Sequence, residues 1–128
     1  MKNRFLFGLG LFLMVGCGST LEGELTVDGV ALTWDRCESL APKGFDGVDL
    51  VSRDERTVRL LRQGKAVVGV GFFEPEVAVG SNLGNCASGE ITDTSEEINR
   101  VRVLEGYADI DCTATVRLEG SVEFSGCH

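Results

Sequence analysis

Five cysteines, one histidine and 20 carboxylates are the residues of this 128-residue chain with chemistry to offer. A hydroxyl or thiol nucleophile needs a base beside it, most often a histidine. The single histidine, His128, follows Cys127 at the very end of the sequence and reads as a solvent-exposed tail. Carboxylate pairs are plentiful, but a glycosidase-type pair needs one acid in an apolar pocket. Asp109 and Asp111 alternate with Ala108, Ile110 and Cys112, so strand parity sends both carboxylates outward. Asp46 and Asp49, near Gly44 and Gly47, loosely suggest calcium, yet the spacing is not that of an EF-hand loop. No cysteine pair has C-x₂-C spacing, which argues against zinc. Gly69-Val70-Gly71 starts like a phosphate-binding glycine pattern and lacks the rest. The expectation is no catalytic residue, no metal and no cofactor.

Cys17 has a different kind of chemistry. Lys2 and Arg4 precede an apolar run from Phe5 to Val15, and Gly16 stands just before the cysteine. A charged start, a short apolar stretch and a small residue at a cleavage point make an export signal. The run of about 11 residues is too short to span a bilayer, which takes roughly 20. Met14-Val15-Gly16-Cys17 resembles the lipobox of bacterial lipoproteins, with Met14 where leucine is usual. The resemblance implies removal of residues 1–16, lipidation of Cys17 and attachment to the cell envelope. Gly18, in place of aspartate, implies the outer membrane, with the periplasmic or surface face open. Residues 17–20 would form the anchor and a short tether, and 21–128 one domain.

Without residues 1–16 all 20 acids remain but only 10 of the 12 basic residues, a charge of −10. That argues against nucleic acid and against electrostatic binding to anionic lipid. The acids are spread along the sequence and read as a solvated surface. Arg59, Arg62 and Lys65, the one concentrated basic stretch, read as a solvated face opposite Val58 and Leu60. With Cys17 assigned to lipid, Cys37, Cys86, Cys112 and Cys127 form an even set, read as two disulfides in an exported domain. Their connectivity is open. A continuous strand over 114–124 separates Cys112 from Cys127, whereas a turn at Glu119-Gly120-Ser121 brings them together.

The elements that must position these residues read as strands. Seventeen glycines and two prolines, with no long helical stripe, suit an all-β domain, a small antiparallel sandwich or barrel-like fold stapled by disulfides. Asp28-Gly29 between alternating runs predicts a hairpin of Leu21–Val27 with Val30–Trp34, in which Gly23 faces Trp34. Val48–Val51 and Ala66–Phe73 read as strands. Residues 52–63 favour strand, although Ser52-x-x-Glu55 resembles a helix capping box. Glu74–Gly89 reads as a long loop stapled by Cys86, and Asp93–Glu97 as a polar connection. Leu-Glu-Gly occurs at 21–23, 104–106 and 118–120, each time with apolar residues two and four positions beyond the glycine. A glycine at mid-strand lets a neighbour approach closely.

The glycine-rich four-cysteine pattern, with its Gly120-Ser121-Val122, Phe124 and Cys127-His128 ending, resembles small lipoproteins of myxobacteria-type bacteria, a group of unassigned activity. The expected function is non-enzymatic: an envelope domain held in the membrane through lipid on Cys17, binding an unidentified protein or small molecule, or serving structurally. The alternatives are a small hydrolase using carboxylates and an inhibitor of an exported enzyme presenting Glu74–Gly89.

Overall fold

The computed structural model describes residues 18–77 and 79–128; Cys17 and the leader before it, on which the lipidation expectation falls, lie outside the described residues. The described residues form ten strands: β1 (Thr20–Val27), β2 (Val30–Ala31), β3 (Trp34–Ser39), β4 (Gly47–Ser52), β5 (Thr57–Gln63), β6 (Ala66–Phe73), β7 (Ser81–Gly84), β8 (Ala87–Ile98), β9 (Val101–Thr113) and β10 (Arg117–Cys127). All pairings are antiparallel, in the order β2-β1-β10-β9-β8-β6-β5-β4-β3, and β7 shares with β8 the edge of β6 that β5 leaves free. The sheet curls until β3 packs against β1 and β10. Inward residues such as Leu25, Leu50, Leu60, Ile91 and Leu118 fill the hollow. The all-β, disulfide-stapled class read from composition is the fold observed.

Two disulfides fasten the curl. Cys37–Cys127 joins β3 to β10, with Cα atoms 4.8 Å apart, and Cys86–Cys112 joins the residue before β8 to β9, at 5.2 Å. β10 runs unbroken through Glu119–Ser121, so Cys112 and Cys127 lie too far apart along the ladder to meet. Cys86 does staple its segment, but the segment is not one long loop. β7 pairs with Val70–Phe72, whose outer edge would otherwise lack partners.

The Asp28-Gly29 turn forms with positive φ at both residues, 50° and 86°. Its hairpin is shorter than expected: only Thr26–Val27 pair with Val30–Ala31, extended by the Leu32 amide donating to the Leu25 carbonyl. The chain then leaves to start β3, and Gly23 faces Val122 of β10 instead of Trp34. Asp93–Glu97 is a second correction, since it lies within β8 at a bulge. Residues 57–63 form β5, as favoured, and Ser52–Glu55 makes a tight turn.

The Leu-Glu-Gly copies fall on three adjacent strands, β1, β10 and β9. Gly23 lies opposite Val122 and Gly120 opposite Leu25, so each glycine of this pair receives an apolar residue of the other copy. Gly106 lies opposite Phe124 and Ile91. At Gly120, φ is +138°, and a Cβ would press into the Glu24 carbonyl oxygen. Gly120→Ala should therefore lower stability by about 1–3 kcal/mol through backbone strain. An unchanged urea midpoint would refute this role.

Candidate functional site

Three places bear on function: the start of β1, a cleft over β5 and β6, and the outward side of β8, β9, β10 and β1. At the first, Ser19 does not dangle. Its hydroxyl accepts a hydrogen bond from the Cys37 amide at 2.7 Å, and Gly126 lies against the backbone of Gly18 and Ser19. Thr20 then pairs with Ser125. The residues after Cys17 thus sit on the seam closed by Cys37–Cys127.

The cleft is built around a charge in an apolar strand. Asp49 interrupts Val48, Leu50 and Val51 in β4, and only 1% of its surface is exposed. Ladder register aligns Glu38, Asp49, Arg59, Gly71 and Asn82 across five strands, and opposed residues share a face. Arg59 Nε donates to Asp49 Oδ1 at 2.8 Å and Nη2 to Oδ2 at 3.0 Å. Lys43 Nζ, on the short 3₁₀ turn Ala41–Lys43, donates to Oδ2 at 3.0 Å. The hydrogen bond to Asp49 raises the Arg59 pKa against the opposing effect of burial, so this guanidinium stays charged.

Aromatic rings bracket that guanidinium. Its central carbon lies 4.6 Å from the centroid of Phe73 and 5.2 Å from that of Phe45, within cation–π range. Phe73 folds back over Gly71, where a Cβ would sit 3.3 Å from the ring, and Gly80 covers it so closely that any side chain there would enter the ring. Glycines 71 and 80 leave the space, and a cleft of about 240 Å³ opens between Phe45, Arg59, Leu61, Phe73, Ser81 and Asn82. Phe45 is 51% exposed at its mouth.

Of the basic stretch, the two arginines on β5 are therefore not a solvated face, whereas Lys65, in the turn after it, is exposed. Besides Arg59, Arg62 donates to Asp46 at 2.7 Å, to Asp93 at 2.6 Å and to the Ile91 carbonyl at 2.9 Å. Burial works against the Arg62 charge, but its hydrogen bonds to Asp46 and Asp93 prevail and raise its pKa. Carboxylates from β4, the loop before it and β8 reach these arginines only in the folded register, so their partners do not show in the local sequence. Asp46 and Asp49, the loose calcium suggestion, are each committed to a different arginine.

The outward side of the other strands is acidic. One row across β1, β10, β9 and β8 reads Glu22, Glu123, Tyr107, Glu90; the next reads Glu24, Ser121, Asp109, Ser88. Asp109 and Asp111 are exposed, as parity required, and Asp109 accepts a 2.5 Å hydrogen bond from Ser121. None of the residues in these rows is basic, so acids spaced evenly in sequence gather on one face. His128 Nδ1 lies 2.9 Å from the Gly126 carbonyl oxygen, next to the Cys37–Cys127 seam.

Neither a family model, a curated protein nor a solved structure matches this chain.

Proposed function

We propose that the protein is a lipid-anchored β domain of the bacterial cell envelope, attached through Cys17 and acting by binding rather than by catalysis. The observation that carries this reading is the seating of Gly18 and Ser19 on the disulfide seam. Acyl chains on Cys17 would hold the domain directly at the bilayer with no flexible spacer. The export-like leader and two disulfides support an oxidising compartment outside the cytoplasm, and Gly18 supports the outer membrane. Asp49, the one buried carboxylate among the described residues, is engaged by two cations. Such an arrangement holds charge in place and offers no free acid to pass a proton.

Burying acyl chains at about 0.8 kcal/mol per CH₂ makes attachment effectively permanent once more than one chain is present. The intact protein should incorporate labelled palmitate and sediment with membranes, and Cys17→Ala should do neither. Label retained by Cys17→Ala, or absent from the intact protein, would overturn the anchor.

A further inference from the structure

We propose that the cleft between Phe45, Arg59 and Phe73 binds a carboxylate carried on a compact apolar group, of the aryl-alkyl acid kind. This deepens the binding half of the functional reading and is independent of lipid on Cys17.

The first argument is an unused hydrogen-bonding edge. A guanidinium has five N–H donors in a planar fork. Asp49 takes Nε and one Nη2 donor, and among the described residues Nη1 of Arg59 has no partner. Nor is Nη1 a sealed orphan, because the buried unpartnered side-chain atom among the described residues is Trp34 Nε1. The free end of the fork thus opens where Arg59 lines the cleft. Rings beside the guanidinium leave its edge as the approach for an acceptor, and a bond to an ionised acceptor there is charge-assisted.

The rim points the same way. Asn82 Oδ1 already accepts the Gly84 amide at 2.9 Å, which leaves the Asn82 amide group as a donor beside Ser81. A rim rich in donors selects an acceptor ligand. Charge does not forbid an anion, because Asp49 is shared between Arg59 and Lys43. Glu38, 4.0 Å from Lys43, is held more closely by Arg36 at 2.7 Å. The acidic rows lie on other strands, and screening limits their reach to roughly 8 Å at physiological salt.

Size sets the apolar part. A cavity of roughly 150 Å³ accepts a benzene ring, so about 240 Å³ takes one ring and a short carboxylate. The floor is glycine backbone and the walls are Phe45, Leu61 and Phe73. One ring and one charged contact support a Kd on the order of 1 mM.

The test is titration of the purified full chain in mild detergent, which keeps it in solution with or without lipid on Cys17, with 3-phenylpropanoate, followed by saturation-transfer NMR and calorimetry, with protein-free detergent subtracted. The acid is expected to bind, and 3-phenylpropanamide about tenfold more weakly because it lacks the charge. Phe45→Ala, which removes an exposed ring, should weaken the acid about tenfold. Arg59→Gln should abolish the preference for acid over amide if the variant folds; if it does not, the amide and Phe45→Ala still decide. N-acetyl-glycyl-phenylalanine serves as a second probe: tighter binding than the free acid assigns the carboxylate to a peptide terminus, and weaker binding to a small molecule. Equal binding of acid and amide, or full affinity in Phe45→Ala, would overturn the site. Palmitate labelling of Cys17 would be untouched by either result.

Discussion

Replacing Cys37 and Cys127 together by alanine should lower the unfolding free energy by about 4–5 kcal/mol, the largest loss available from any one cross-link in this domain. The two cysteines are 90 residues apart in sequence, against 26 for Cys86 and Cys112. Loop-closure entropy scales with the logarithm of that separation, which gives about 3.5 kcal/mol for the shorter loop. The longer bridge also crosses the seam, where β3 packs against β1 and β10 without a ladder hydrogen-bond register. A domain of this size has roughly 5–15 kcal/mol of total stability, so its loss removes a large share. Urea unfolding of the two double variants checks the ranking. A smaller shift for the Cys37/Cys127 pair than for the Cys86/Cys112 pair would show that chain entropy does not govern here.

Arg59→Met should cost about 3–5 kcal/mol, because it strands a buried carboxylate with one partner fewer. Asp49 is sealed, and the remaining Lys43 is half exposed and reaches a single oxygen. By contrast Arg56→Ala, which breaks a pair with the exposed Asp54, should cost below about 1 kcal/mol. Combining Arg59→Met with Asp49→Leu removes both charges from the buried site and should recover much of the loss. Thermal unfolding of the two singles and the double closes the cycle. Additive costs would mean that the pair is not coupled and that Arg59 is held chiefly by its aromatic neighbours.

Much of this architecture could be read from local pattern. Strand parity placed Asp109 and Asp111 outward, and the even cysteine set anticipated two bridges. The Leu-Glu-Gly spacing fell on three strands, β1, β10 and β9, that are neighbours in the sheet. The failures have physical reasons. Asp93–Glu97 is polar and mostly exposed, so its sequence shows no buried period although its backbone pairs with β9. The turn beyond it uses Asn99 and Arg100 at positive φ, 51° and 68°, where arginine gives no turn signal. Gly23 pairs with Val122 and not with Trp34 because a local hairpin signal carries no information about competition from β10.

For the cleft, one signal was visible: an aspartate between Val48 and Leu50 is out of place in an apolar strand and needs a buried partner. That the partner is Arg59, and that Phe45, Phe73 and Gly80 assemble around it, depends on register and on a loop folding back over β4. Neither is encoded at short range. The acidic rows were hidden for the same reason, since their members come from four strands spread over a hundred residues.

The pairing of β1 with β10 has a temporal meaning. Leu25 meets Gly120 and Val27 meets Leu118, contacts that span more than ninety residues, whereas β4–β5–β6 and β8–β9–β10 are joined by short turns. Contacts of high sequence separation slow folding, to the millisecond-to-second range for barrel-like sheets. The local meanders are therefore expected to form first, with β1 waiting, its edge unsatisfied, until β10 is in place. A chain threaded across a membrane from its amino end would have its first strand outside long before that strand's partner arrived. The stretch nearest the proposed anchor would then be the last to gain its structure.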